Sequence, residues 1–513
     1  HGAWTRAPGP GRRVDVVIGF YEDHEHRTYN SALYAELGGS EPRLVHLHRK
    51  VFLPTYGVFQ EERFVEAGTR IAAFDTHWGR AAMLICEDLW YGISADMAAR
   101  DGAQLLIVPS ASPARGTRPG PGVPGNVARW ERLARGAAER NGVGVAVCQL
   151  VGFEGGKGFA GGSLACAPGG DVLHRSVLWD EALDVVGLDL AGAPGPAAEG
   201  PAEVSESASD SPPVLRLQEA DEEARERGNA GAAPAADGAC DEGLLDIDAP
   251  LVEDWLVRFL DEEMHRRRGF RHAVIGLSGG VDSSVTAALC ARALGPESVT
   301  GLLMPYRTSS SESIDHAMLV AEQLGIRTRR IEITGAVDGY VAENEPDADG
   351  RRRGNVMART RMIVLFDQAA KLAALPVGTG NKSERLLGYF TWHADDSPPI
   401  NPLGDLFKTQ VWALARHLGL PAEVIDKPAS ADLVVGQTDE DDLGVSYTEA
   451  DLILLHLIEG RTSDWLVSAG FIADRVALVR DRLDSTHWKR NLPTVAMLSS
   501  TTIGEWYLRP VDY

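Results

Sequence analysis

The chain has 513 residues, more than one hydrophobic core usually organises, so two or three domains are expected. Its 73 Asp and Glu against 50 Lys and Arg give a formal charge of -23, a balance that repels phosphate backbones and anionic lipid and argues against nucleic-acid or membrane partners. The cysteines Cys86, Cys148, Cys166, Cys240 and Cys290 follow no CxxC or paired spacing, and no apolar run approaches the roughly 18–20 residues of a bilayer span. This excludes a zinc or disulfide framework and points to a cytoplasmic protein.

In chain order, the sequence opens His1-Gly2-Ala3-Trp4 without an initiator Met, and its Pro, Gly and Arg stretch has no apolar signal-peptide core, so further residues are expected upstream. Short apolar runs follow: VDVVIGF at 14–20, AAMLIC at 81–86, QLLIVP at 104–109 and VGVAVC at 143–148. They predict buried strands. With a helix over 126–140, residues 1–190 are expected to form a mixed α/β domain. Positions 191–243 turn to Ala, Pro, Gly, Ser and acidic residues, a composition that buries too little apolar surface to offset its ordering entropy. A disordered linker is expected there, with a short helix near 218–227.

Residues 244–513 open with an amphipathic helix over 251–267. The strands HAVIGL at 272–277, SVTGLLMP at 298–305, RTRRIEI at 327–333 and LPVGTG at 375–380 then alternate with helices. Such alternation predicts a doubly wound parallel sheet, whose ligands bind at the carboxyl ends of the strands. The strand HAVIGL runs into Ser278, Gly279, Gly280, Val281, Asp282, Ser283 and Ser284, and then a helical stretch. Two glycines that admit close backbone approach, followed by a helix N-terminus, make a phosphate cradle. A Gly-Gly pair alone is more often a small-residue turn; the seven-residue match between strand and helix carries the assignment.

This loop resembles the SGGxDS loop of the ATP pyrophosphatase superfamily, which is shared by GMP, asparagine and NAD+ synthetases. Downstream come Arg353-Gly354-Asn355, Arg359-Thr360-Arg361, Gly378-Thr379-Gly380-Asn381-Lys382-Ser383-Glu384, Gly388-Tyr389-Phe390-Thr391, Asn401-Pro402-Leu403, Lys408-Thr409-Gln410, Ser430-Ala431-Asp432-Leu433 and Trp488-Lys489-Arg490. In that order they resemble the NAD+ synthetase family over essentially all of 250–513. The resemblance implies ATP and Mg2+, with Asp282 and Glu384 as the metal carboxylates. It implies Ser278 to Ser284, Thr379, Lys408 and Ser430 around ATP, and Asn355, Arg359 and Lys489 around nicotinate adenine dinucleotide. Trp392 and Pro399 stand where the small ammonia-using members carry Lys and Asp, so the dinucleotide contacts there are expected to differ.

In the first domain, Cys86-Glu87-Asp88-Leu89-Trp90 ends the strand AAMLIC, after Arg49-Lys50-Val51-Phe52-Leu53-Pro54 and a motif at 56–64 that contains Glu61. A cysteine at a strand end, with helix N-H groups nearby, is placed for a lowered pKa and nucleophilic attack. The pattern is similar to the nitrilase (carbon-nitrogen hydrolase) superfamily. The resemblance implies an α-β-β-α sandwich, here incomplete, with Cys86 as the glutamine nucleophile, Lys50 stabilising the oxyanion and Glu61 as an auxiliary acid. The general-base Glu is expected ahead of VDVVIGF, since Glu22 and Glu25 lie on the wrong side of that strand. Cys148, Cys166, Cys240 and Cys290 are expected to be structural or surface residues.

Together these readings imply a glutamine-hydrolysing, ATP-dependent amidation of nicotinate adenine dinucleotide through an acyl-adenylate, with glutamine or free ammonia as nitrogen source. A homo-oligomer is implied by the same resemblance. Two alternatives stand beside it: another amidotransferase of the same superfamily, or a synthetase whose first domain is a non-catalytic binding module.

Overall fold

The computed structural model describes residues 14–37, 42–55, 61–120, 122–190, 239–430, 438–491 and 496. The expected linker, except its last five positions, lies outside the described residues, as do the helix near 218–227, positions 56–60 and positions 431–433. Of the linker positions described, Ala239 is buried against the second core and Asp241 caps a short turn, Glu242–Leu245. Packing divides the chain into two compact units, one of residues 1–116 with 124–233 and one of residues 117–123 with 234–513.

The first unit holds a three-stranded antiparallel sheet of β1 (Val14–His24), β2 (Arg27–Leu37) and β3 (Arg43–Arg49), in that order. It also holds a two-stranded hairpin of β8 (Val151–Glu154) and β9 (Lys157–Ala160) and a six-stranded mixed sheet. The latter runs β11 (Val172–Arg175), β10 (Leu164–Cys166), β7 (Gly144–Gln149), β6 (Leu105–Ser110), β5 (Gly79–Met83), β4 (Ala73–Thr76). β5, β6 and β7 are parallel, as their unbroken apolar runs predict. The helix Gly125–Asn141 buries Trp130, Ala134, Ala137 and Ala138 on one stripe, and Gly142, left-handed at φ 63°, ends it.

β1 departs from the buried strand expected of VDVVIGF. Val14, Ile18, Phe20 and Tyr21 of β1 are exposed; among the described residues β1 pairs with β2 alone and forms an edge of its sheet. An ion pair crosses this sheet: Arg49 on β3 donates from Nε and Nη2 to Glu22 on β1 at 2.8 and 2.7 Å and stacks over Tyr29. The Arg49 hydrogen bond is the main reason the Glu22 carboxyl is held down at about 2. A depressed carboxyl stabilises the fold above its unfolded pKa and loses that contribution as pH falls toward the folded one. Glu22→Gln is therefore expected to lower unfolding free energy at pH 7 by about 1 kcal/mol, with the gap to wild type closing between pH 4.5 and 2; denaturant titrations at pH 7 and pH 3 check it.

The second unit is built on a four-stranded parallel sheet in the order β14 (Arg327–Arg330), β13 (Val299–Leu303), β12 (Ala273–Gly276), β15 (Leu375–Pro376). The chain moves from β12 outward through β13 and β14, then returns to β12's other side with β15. The direction of winding thus reverses at β12, and a crevice opens beyond its carboxyl end. The helix Val281–Leu294 leaves from there and is buried almost all round, with residues 283–290 inside the core. The helix expected over 251–267 is α-helical over Ala249–Asp261 and widens into a π turn over Glu262–Arg267.

Candidate active sites

The loop after β12 is built from its own small residues. Gly279 adopts φ +78°, and a Cβ there would lie 2.1 Å from the Ser313 carbonyl oxygen, so only glycine fits. Ser283 and Ser284 donate their hydroxyls to Gly280 O at 3.0 and 2.8 Å, and Ser278 N donates to Ser283 Oγ. These hydroxyls are directed at the loop itself. Val281 packs into the core. What the loop presents at the helix start is Asp282, whose Oδ1 accepts from Asn381 Nδ2 at 2.9 Å and whose Oδ2 accepts from Lys408 Nζ at 2.5 Å.

Glu384 approaches the same lysine, 3.9 Å from Nζ. It sits third in the helix Lys382–Leu387, in a capping box: Asn381 Oδ1 accepts from Glu384 N, and Glu384 Oε2 accepts from Asn381 N. The residue is thus a helix cap and a site acid at once, one oxygen serving each purpose. Burial, then the nearby Asp282 charge, pushes its carboxyl up to about 8. Burial opposes the charge of Lys408, but Asp282 and Glu384 more than offset it and hold the ammonium above its ordinary value. Two hard carboxylates around one buried cation form a donor set that suits a divalent metal.

Lys408 opens the helix Lys408–His417, whose N-cap, Phe407, offers no side-chain cap. The first N-H groups are satisfied from elsewhere: Lys408 N donates to Ser383 Oγ at 2.8 Å, and Thr409 N to Asp451 Oδ2 at 3.0 Å. Asp451 also accepts from Ser383 Oγ and Thr409 Oγ1. This fully buried acid links the segment carrying Glu384 to the one carrying Lys408. Sequence reasoning gave no role to Asn381 or Asp451; Asp451 is buried between Ala450 and Leu452 on the Tyr447–Ile458 helix, but nothing local marks it.

The residues assigned to the dinucleotide gather on the segment 388–392. Lys489 Nζ donates to Gly388 O and Phe390 O at 2.8 and 2.9 Å, Arg359 Nη2 to Trp392 O at 3.1 Å, and Thr391 Oγ1 to Asn355 Oδ1 at 3.1 Å. Trp392 meets Trp488 edge-to-face at 5.3 Å. Desolvation lowers the Lys489 ammonium. Thr379 is half-buried in the loop after β15, and Ser430 is exposed at the end of its described segment.

In the first unit, Cys86, Lys50 and Glu61 line one cavity of about 930 Å³, together with Asn30, Glu87 and Glu181. Cys86 begins a 3-10 turn, Cys86–Trp90, just beyond β5, with its backbone left-handed at φ 47°. Lys50 is buried at the end of β3 and donates from Nζ to Glu61 Oε2 at 2.7 Å. The expected lowering of the Cys86 pKa is overturned: burial raises it above the ordinary thiol value, and Lys50, the largest opposing influence, recovers only part of that. Burial likewise opposes the Lys50 charge, yet the facing Cys86 and Glu61 hold it above its ordinary value. Cys148, expected to have no part in a site, lines this cavity too. Glu22 is paired with Arg49, and Glu25 sits in the β1–β2 turn; neither lines the cavity.

Family models describe the two units. The NAD synthase model matches residues 252–493 and the carbon-nitrogen hydrolase model residues 12–193. An NH(3)-dependent NAD(+) synthetase of Chlorobaculum parvum is 49% identical over 261 residues, which span 51% of this chain and 94% of that protein. One of Fusobacterium nucleatum is 44% identical over 50% of this chain and 98% of its own length. Among solved structures, the glutamine-dependent NAD+ synthetase of Acinetobacter baumannii, in complex with ADP, superposes with a TM-score of 0.64 at 23% identity, over 94% of this chain and 82% of that one. At that identity the likeness speaks to the fold.

Proposed function

The chain belongs to the NAD synthase family, and from that premise we propose that its second unit amidates nicotinate adenine dinucleotide with ATP while its first releases the ammonia from glutamine. The domain pair is that of a carbon-nitrogen ligase with a glutamine-dependent architecture. The observation that carries the synthetase reading is the Asp282, Glu384 and Lys408 cluster at the carboxyl end of β12, where the sheet's winding reverses.

A carboxylate is a poor electrophile, so its oxygen attacks the α-phosphorus of ATP and pyrophosphate leaves; ammonia then attacks the acyl-adenylate carbonyl and AMP leaves. In this reading Lys408 and the N-H groups that open the 281–294 helix hold the phosphates. Asp282 and Glu384 would hold Mg2+, which supplies charge neutralisation for the departing pyrophosphate. In the first unit the Cys86 sulfur attacks the glutamine amide carbon, ammonia leaves, and water hydrolyses the thioester to glutamate. The ammonium of Lys50 faces the oxyanion that forms. Because the resting thiol is raised, its proton must be removed as the attack proceeds. A homo-oligomeric assembly belongs to the same reading.

The test is NAD+ formation from nicotinate adenine dinucleotide, ATP and Mg2+, with glutamine or ammonium supplied in parallel. Product with both supports the whole reading. Product with ammonium alone leaves the synthetase and removes the glutaminase, and product with neither from folded protein removes both. The loop gives a sharper check. Gly279→Ala forces a positive-φ strain on the order of 1–3 kcal/mol and drives a Cβ into Ser313 O. The KM for ATP is expected to rise about tenfold or more, while glutamine hydrolysis is unchanged.

A further inference from the structure

Directly behind Cys86 lies a carboxylate that the chemistry above does not use. Asp88 is fully buried, and each of its oxygens accepts two hydrogen bonds. Oδ1 takes the backbone N-H groups of Val51 and Phe52 at 3.0 and 2.9 Å. Oδ2 takes the N-H of Ile85 at 2.9 Å and Nε2 of the buried His48 at 2.9 Å. These donors belong to two segments far apart in the chain. Ile85 immediately precedes Cys86, while His48, Val51 and Phe52 bracket Lys50.

The conformation being held is a costly one. Cys86 sits at φ 47°, a region that costs a non-glycine residue on the order of 1–2 kcal/mol and persists only where the surroundings over-determine it. The turn around it closes from Asp88 N to Ile85 O at 3.0 Å, and the Phe52 ring stacks on Tyr91 at 3.9 Å between centroids. One buried anion thereby fixes the strained turn of the thiol and the strand end that carries the ammonium facing it.

We propose that Asp88 is the positioning residue of the thiol site, clasping the Cys86 turn to the Lys50 segment so that sulfur and ammonium face each other. The proposal rests on the reading of Cys86 as the glutamine nucleophile. Asp88→Asn is its direct test, because the shape is conserved but an amide NH2 replaces an oxygen that two donors require.

Two readouts are followed in the full chain: alkylation of Cys86 by iodoacetamide, quantified by mass spectrometry with exposed Cys240 as internal reference, and NAD+ formation driven by glutamine or by ammonium. A misplacement near 1 Å costs up to about 100-fold. Glutamine-driven kcat is therefore expected to fall about 10- to 100-fold at little-changed KM, and Cys86 alkylation to slow by about tenfold or more. Cys240 alkylation and ammonium-driven turnover should stay at wild-type values.

Unchanged Cys86 reactivity, or both turnovers falling together in protein that keeps its wild-type Tm, overturns the proposal. Should Asp88→Asn not fold, His48→Leu removes one of the four donors and must show the same split at smaller amplitude; unchanged alkylation there is equally decisive against it. If wild-type protein hydrolyses no glutamine, the nucleophile reading fails, while the alkylation arm still reports on Asp88.

Discussion

Replacing Cys86 by alanine is expected to cut glutamine-driven NAD+ formation by on the order of 1,000-fold or more, the scale of losing a nucleophile, and to leave ammonium-driven formation intact. The split follows from the division of labour: the thiol lines a cavity in the first unit, whereas Asp282, Glu384 and Lys408 lie in the second. Equal loss with both nitrogen sources would show that the substitution acts through folding rather than through ammonia supply. A retained glutamine rate would remove Cys86 from the reaction. The raised thiol adds a second signature. Alkylation of Cys86 should keep climbing to higher pH than that of an ordinary thiol, because burial raises the Cys86 thiol.

The second large effect belongs to Lys408. Its ammonium is buried and is the counter-charge of two carboxylates. Lys408→Met is expected to lower kcat/KM for ATP on the order of 100- to 1,000-fold with either nitrogen source, the magnitude of losing one preorganised charge-stabilising donor. It should also destabilise the second unit by about 3–5 kcal/mol, since Asp282 and Glu384 then face each other without a cation. The two consequences separate in Lys408→Met combined with Asp282→Asn. Removing the stranded charge should recover much of the stability, read as Tm, and none of the activity. If activity returns with stability, Lys408 is structural and its place in the phosphate site is wrong.

The sequence exposed Asp282, the partner of Lys408, and Cys86 for a simple reason. The glycine-rich loop is contiguous, it follows a strand and opens a helix, and its backbone demands are met by its own side chains, as the Ser283 and Ser284 bonds to Gly280 O show. Cys86 at the end of an apolar strand is similarly local. Lys408, 126 residues from its partner Asp282, was found only through the resemblance of ordered motifs.

Where the reading failed, the deciding quantity was burial or a long-range partner. The sequence places helix N-H groups near Cys86 and so favours the thiolate, but the desolvation that raises the thiol comes from everything packed around it. VDVVIGF has the composition of an inner strand, yet among the described residues it lies at a sheet edge with Ile18 and Phe20 exposed, because periodicity cannot report how many neighbours a strand will have.

What the sequence indicated by itself, then, was the alternation of strands and helices, a glycine-rich loop between a strand and a helix, and the acids, lysines and thiol proposed for the chemistry. What only the tertiary structure decided was their electrostatic state and the buried acids that hold them. Asp451 reaches Ser383 across 68 positions and Asp88 reaches Val51 across 37. A carboxylate becomes a clasp rather than a solvated surface charge only when folding removes its water and supplies its donors from elsewhere in the chain.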